Sequence, residues 1–327
     1  MQGLMMDRPL LTTGILRHAE RNYPQTRIVT RTVEGPIHRY TVREAGERIR
    51  RLANALKAMG VERGDRVGVI GWNTYRQFEL YFAVGGIGAV LHTINPRLGP
   101  ENAGFVINHA EDAALFYDNT FAPLVAALAP HAPTVRRYVA LTDADNAPDI
   151  GREASVYEDL IADAGDAFEW PDFDENTAVA LCYTSGTTGN PKGVLYSHRA
   201  LVLQAFASCM SGALGLSEGD VMLPVVPMFH VNAWNTPYSC LLQGVDQIFP
   251  GPRLDGEGLY EMLDAEKVTY CAGVPTVWLG LLQYLEQTGK TLPHLRTGLS
   301  GGSALPEAVV RGLDKYGVDV QQGWGMT

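Results

Sequence analysis

Eleven residues running Tyr183-Thr-Ser-Gly-Thr-Thr-Gly-Asn-Pro-Lys192-Gly193 follow an apolar stretch at 178–181. The hydroxyls of Thr184, Ser185, Thr187 and Thr188, spaced by Gly186 and Gly189, suit a loop whose backbone N–H groups and side-chain donors wrap a single polyanion. Glycine lets the backbone approach closely, Pro191 limits where the loop bends, and Lys192 adds positive charge. This chemistry points to a triphosphate. A plain Ser/Thr/Gly surface turn is the competing reading, and eleven consecutive matching residues behind a strand weigh against it. The spacing is not that of a Walker A loop. Its nearest match, Gly289-Lys290-Thr291, has Tyr284 where a glycine is required and reads as a helix end.

A second candidate is Pro227-Met-Phe-His230-Val-Asn-Ala-Trp234, inside 25 residues (221–245) that carry no Asp, Glu, Lys or Arg. A lone His and Trp four apart are ordinarily core residues. The uncharged surroundings favour a functional His230, able to hydrogen-bond a carboxylate or phosphate. The absence of any acid between Asp220 and Asp246 disfavours an ammonium-bearing substrate, which would need a buried counter-charge. A third motif, Gly298-Leu-Ser300-Gly-Gly302, is a literal G-x-S-x-G as in a hydrolase nucleophile elbow. Glu307, Asp314 and Asp319 follow it but no histidine does, so the usual triad order is incomplete.

These segments need a scaffold, and the pattern around them supplies one. An extended pair spans 27–40 with Glu34-Gly35 at its turn, then Thr41 and Glu44 take capping-box spacing ahead of a helix that Gly60 ends. Strands are expected at 66–71, 113–117, 137–141, 178–183, 221–226, 268–272, 297–300 and 318–321. Helices are expected at 75–84, 199–214, 258–267, 275–286 and 306–316. This alternation predicts an α/β fold of mostly parallel sheets covered by helices. The segment 142–176 holds twelve carboxylates against Arg152 alone. It reads as a solvated linker with one short helix at 156–162, dividing a first subdomain (1–170) from a second (171–327).

Composition narrows the function classes. The chain has 327 residues, 46% hydrophobic, with net charge −10. That describes a folded, soluble protein without the basic balance of a nucleic-acid binder. The acidic linker accounts for the whole net charge. Cys182, Cys209, Cys240 and Cys271 are scattered, with no zinc spacing or disulfide framework, and read as free thiols in a reducing cytoplasm. No signal-peptide run opens the chain. The uncharged 221–245 stretch has membrane-span length, but Pro224, Pro227 and Pro237 and its asparagines argue for strand, turn and helix instead. Peripheral membrane contact stays open.

With these motifs in hand, the chain closely resembles the AMP-forming adenylating enzymes: acyl-CoA synthetases, peptide-synthetase adenylation domains and beetle luciferases. The resemblance rests on the 183–193 loop, the Pro227–Trp234 segment, Leu299-Ser-Gly-Gly302-Ser-Ala-Leu305 and Gln321-Gln-Gly-Trp-Gly-Met-Thr327, in the expected order from about residue 15 onward. Within the superfamily it looks nearest to medium- and long-chain fatty acyl-CoA synthetases. The resemblance implies the fold of their large N-terminal domain and ATP, Mg2+ and coenzyme A as co-substrates acting on a small carboxylic acid. A short methylthio- or aryl-acid ligase, a non-catalytic nucleotide-binding fragment and a Ser300 hydrolase stand as alternatives.

Position by position, the resemblance implies that Thr184, Ser185, Gly186, Thr187, Thr188, Gly189 and Lys192 hold the β- and γ-phosphates, Thr184 also helping to place Mg2+. Gly302, Ser303 and Ala304 would pass against adenine and the acyl carboxylate. Gln322, Gly323, Trp324, Gly325, Met326 and Thr327 would form the adenine and α-phosphate motif. His230, Val231, Trp234 and Gly302 would meet the acyl substrate, with Trp234 as a gate and His230, Thr184 and Lys192 taking catalytic parts. The sequence ends at Thr327, one residue before a glutamate that normally helps hold Mg2+. The ribose-binding acid, the hinge and a small C-terminal lid domain are also expected beyond it. The resemblance therefore implies a truncated chain with little turnover alone, and leaves a homodimer possible.

Overall fold

The computed structural model describes residues 1, 3–184 and 190–327. Two seven-stranded sheets carry the fold. The first is built from β3 (Arg66–Ile70), β4 (Val90–Thr93), β5 (Asp112–Tyr117), β6 (Arg137–Ala140), β7 (Ser155–Val156), β8 (Ala178–Tyr183) and β9 (Gly193–Ser197), in the order β7-β6-β5-β3-β4-β8-β9. The second contains β1 (Arg27–Arg31), β2 (Ile37–Thr41), β10 (Val221–Pro224), β11 (Asp246–Phe249), β12 (Tyr270–Gly273), β13 (Thr297–Ser300) and β14 (Asp319–Gln322), in the order β14-β13-β12-β10-β11-β1-β2. All pairings are parallel except the β1·β2 and β8·β9 edges. The α/β expectation holds. Neither sheet follows a division at residue 170, because β1 and β2 sit in the second sheet while β8 and β9 complete the first.

Between the sheets lies the helix Tyr75–Gly86, all twelve of its residues buried. Phe78 packs on Phe249 of β11, and Phe82 on Tyr238. Such a helix must match its own charges, since an unpaired buried ion is costly. Glu79 receives Arg48 at 2.7 Å and the Tyr157 hydroxyl at 2.5 Å. Arg76 donates to Glu34 at 2.7 Å and Glu158 at 2.8 Å. Burial opposes ionisation of Glu158, but Arg48, Tyr75 and Arg76 outweigh it and hold its carboxyl at about 2.

The 142–176 segment is therefore not simply a solvated linker. Glu158 sits in this ionic network, and Phe168 and Trp170 pack on the main core. A Cβ on Gly86 would lie 2.2 Å from the Trp170 ring, so the indole rests on the buried helix's backbone. The short helix appears as expected, at Tyr157–Ala162. Among the described residues no helix is long and apolar enough to cross a membrane.

His198 opens the helix His198–Cys209 with its ring fully buried, where its Nδ1 accepts the Thr12 N–H at 3.2 Å. Desolvation lowers its pKa from 6.5 to about 4. The folded state therefore binds fewer protons than the unfolded chain across that window. The stability present above pH 6.5 should fall by about 3 kcal/mol as the pH drops through 4. Denaturant unfolding from pH 7 to 4 should show this loss in the wild type and a correspondingly smaller one in His198→Gln, which keeps an acceptor but cannot titrate.

Candidate active site

β8 runs outward from a buried interior and ends at Tyr183 and Thr184, and β9 returns antiparallel beside it. The Thr184 N–H donates to the Lys192 carbonyl at 3.0 Å, and the Lys192 N–H donates to Thr184 Oγ1 at 3.2 Å. This reciprocal pair closes the loop's stem and brings Thr184 and the exposed Lys192 to one end of the first sheet. Beneath it, a Cβ on Gly193 would press on the Tyr183 ring at 3.1 Å, and Tyr183 Oη is held 2.7 Å from His109 Nδ1. Ser185, Gly186, Thr187, Thr188 and Gly189 lie outside the described residues.

At the carboxyl ends of β13 and β14 the second sheet brings two further segments together. The Gly323 N–H donates to the Ser300 carbonyl at 2.7 Å. The Gln322 amide donates to the Ser303 carbonyl at 3.2 Å and accepts the Leu305 N–H at 3.0 Å. Gln322 thus latches the exposed 302–304 strip to β14. Gly302 has φ +84°, in the region that favours glycine. Trp324 and Met326 are 86% and 76% exposed, with Gly325 exposed between them and Thr327 half-buried at the end. Carboxyl ends of parallel strands are where α/β sheets take ligands. Ser300, by contrast, is fully buried at the end of β13 with no positive φ, and its Oγ has no partner among the described residues. That is not the exposed serine of a nucleophile elbow.

His230 stands neither at the end of a strand nor at the start of a right-handed helix. β10 ends at Pro224, and the five residues Val231, Asn232, Ala233, Trp234 and Asn235 all have φ between 48° and 66°, a left-handed turn. Each non-glycine residue there costs on the order of 1–2 kcal/mol. The turn is held by Asn235 Nδ2 donating to Leu201 O at 3.1 Å and Thr236 Oγ1 donating to Ala233 O at 2.9 Å. Asparagine is one of the few residues suited to this conformation. The helix Thr236–Gln243 follows. The turn projects His230 outward and directs Trp234 inward. Desolvation lowers the His230 pKa below its ordinary value, so the imidazole is neutral at pH 7. Val231 is half-buried beside it.

Trp234 reaches across to β13. A Cβ on Gly301 would stand 2.9 Å and 3.0 Å from the indole and 3.2 Å from the Gly323 carbonyl. The indole therefore lies on the backbone at the root of the 302–304 strip, packing with Leu216, Val226, Cys240 and Leu299. Gly301 is a site residue that the sequence alone does not single out; its only signal is being one of three glycines in 298–302. The candidate residues thus fall in two arrays: a loop stem on the first sheet, and a glycine-lined strip with a histidine and a tryptophan on the second, with Cys182 Sγ, two residues before Thr184, lying 3.9 Å from Asn232 Oδ1 of the left-handed turn. Among the described residues no three His, Cys, Asp or Glu cluster to hold a metal.

The sequence profile of the family described as "AMP-binding enzyme" matches residues 16–327. The chain belongs to the AMP-binding enzyme family. It is 46% identical to 3-methylmercaptopropionyl-CoA ligase of Ruegeria pomeroyi, covering 100% of this chain and 61% of that protein. It is 47% identical to a long-chain-fatty-acid–CoA ligase of Thermus thermophilus, over 99% of this chain and 58% of the relative. The chain thus spans about three fifths of the length of these curated relatives. In fold it matches the inhibitor-bound N-terminal domain of FACL13 from Mycobacterium tuberculosis, with TM-score 0.83 at 24% identity, covering 97% of this chain and 76% of that one.

In this AMP-binding family member, the close approach at Gly301 yields a test. Gly301→Ala should destabilise by about 1–3 kcal/mol through overpacking. In a Trp234→Ala background the same change should cost much less. Denaturant unfolding of the four proteins in a double-mutant cycle checks this, and additive effects would place the indole elsewhere.

Proposed function

We propose that the protein is an AMP-forming acid–CoA ligase acting on an apolar carboxylic acid. The observation that supports this reading is the packing of Trp234 on Gly301 at the root of the 302–304 strip, joined to a 25-residue segment around His230 with no charged side chain. Such a segment suits an uncharged acyl tail and offers no partner for an ammonium group. The resemblance to ligases of fatty and methylthio acids, at nearly equal identity, supports a plain carboxylate with an apolar chain.

In the proposed reaction a carboxylate oxygen of the acid bonds to the α-phosphorus of Mg·ATP as the bond to the bridging β-phosphate oxygen breaks, and pyrophosphate leaves. The thiol of coenzyme A, losing its proton, then bonds to the acyl carbon, and AMP leaves with the electrons of the broken C–O bond. Neither step requires an enzyme nucleophile, so the protein's part is alignment and charge stabilisation. Lys192 and the 185–189 donors would balance the β- and γ-phosphates. Mg2+ would be carried in mainly by the triphosphate, with the Thr184 hydroxyl at its edge and water completing its shell. Neutral His230 would donate one hydrogen bond to the oxygens that gain charge. Gly302, Ser303 and Ala304 would line adenine and the carboxylate, Gln322 to Thr327 the adenine and α-phosphate, and Val231 and Trp234 the acyl entrance.

The deciding measurement is carboxylate-dependent exchange of labelled pyrophosphate into ATP by the protein at the full length of its relatives, screened from short methylthio-acids to long fatty acids. Exchange is expected with apolar acids, with Lys192→Ala lowering it by about 10²–10³-fold and Trp234→Ala altering the acyl-length profile. A folded protein that binds ATP but exchanges with no acid would instead be a non-catalytic nucleotide binder. Ester cleavage abolished by Ser300→Ala would make it a hydrolase.

A further inference from the structure

The segment from Pro224 to His230 leaves the second sheet after the Val225 and Val226 N–H groups donate to the Ala272 carbonyl, and five of its other backbone groups are held by side chains from the first sheet's end of the molecule and the buried helix. Asn73 follows β3 and is 6% exposed. Its Nδ2 donates to the Pro224 and Val226 carbonyls, both at 2.8 Å, and its Oδ1 accepts the Met228 N–H at 2.7 Å. One amide therefore reads three alternate residues as a neighbouring strand would. Tyr81, on the buried helix, donates its hydroxyl to the Met228 carbonyl. Thr93, the last residue of β4, donates to the Phe229 carbonyl at 3.2 Å.

The His230 N–H closes a turn on the Pro227 carbonyl at 3.0 Å, and the left-handed residues begin at once. Thr93 Oγ1 is also 3.3 Å from Cys182 Sγ, two residues before Thr184. The first sheet thus fixes both the stem of the phosphate-type loop and the backbone that presents His230.

We propose that Asn73 is a positioning residue that sets His230 in register with the phosphate loop, an inference that rests on the ligase reading above. Only an amide meets the demand: two donors and one acceptor in one plane, buried, facing two carbonyls and an N–H. Asn73→Asp would keep the acceptor and lose both donors, and Asn73→Ala would leave three buried backbone groups without partners. Asn73 touches no substrate in this scheme. It acts through the segment it holds.

The experiment uses the full chain with Asn73→Asp and Asn73→Ala, and Ile70→Ala as a control that is equally buried but packs in another cluster. The first readout is the His230 ring proton resonance, assigned with His230→Gln and titrated by NMR. The second is calorimetric affinity for AMP and for a non-hydrolysable acyl-sulfamoyl adenosine with an apolar acyl chain. In both Asn73 variants the His230 resonance should move and its pKa rise towards 6.5. The acyl analogue should bind at least tenfold more weakly while AMP affinity changes less than twofold, and Ile70→Ala should alter neither ratio. An unmoved His230 signal and an unchanged ratio of affinities would overturn the proposal. Should the Asn73 variants not fold, Tyr81→Phe and Thr93→Val each remove one hydroxyl and must show the same displacement in smaller measure; a wild-type signal in both would equally overturn it. If the wild type takes up neither adenylate, the ligase reading fails, and the His230 signal still decides the role of Asn73.

Discussion

Arg76 and Glu79 are buried alongside Phe78 and Phe82, so the helix Tyr75–Gly86 can be enclosed only after its charges are matched. The matching groups come from widely separated parts of the chain: Glu34 at the β1–β2 turn, Arg48 on the helix Val42–Ala58, and Tyr157 and Glu158 beyond β7. A pair of this kind adds little net stability over an apolar equivalent, but breaking one side costs about 3–5 kcal/mol. Its effect is therefore on registry. The sheets close in the arrangement that pairs Arg48 and Arg76 with Glu79, Glu158 and Glu34, and arrangements that break these pairs are penalised.

Registry matters because the candidate site is divided between the sheets. Thr184 and Lys192 belong to the first, and Gly301, Gly302 and Gln322 to the second. His230 follows the second sheet in the chain, while the residues just before it are hydrogen-bonded by Asn73, Tyr81 and Thr93. The proposed reaction, which would bring a carboxylate oxygen in line with a phosphorus, would gain from fixed separation more than from any single strong contact.

The strong periodic elements are legible in the sequence. The capping box at Thr41 and Glu44 is present in full, and most expected strands and helices appear within two or three residues of their forecast ends. β4, with only Val90, Leu91, His92 and Thr93, and β11 are too short to announce themselves without a partner. In the acidic segment high charge density suggests solvation, whereas Glu158 is drawn inward by two arginines. The site motifs are legible as stretches, and their mutual placement is not. Local propensity gives no warning of a left-handed turn containing Val231, since it exists only through long-range bonds such as Asn235 to Leu201. Asn73 is invisible for the same reason: its partners lie some 150 residues away.

The interleaving of strands also sets an order of events at the ribosome. β1 pairs on its inner side with β11, Ile28 facing Gln247, so its neighbour does not exist until 219 further residues have been made. At about 5–20 residues per second, that is a wait of roughly 10–40 s. Throughout it the edge of β1 that β11 will cover stays open, while the first sheet has all seven of its strands once Ser197 emerges. The nascent chain must shield that edge, or have it shielded, until β11 arrives. The half of the molecule that carries Thr184 and Lys192 has all its strands first, and the half that carries Gly301 and Gln322 is assembled onto it.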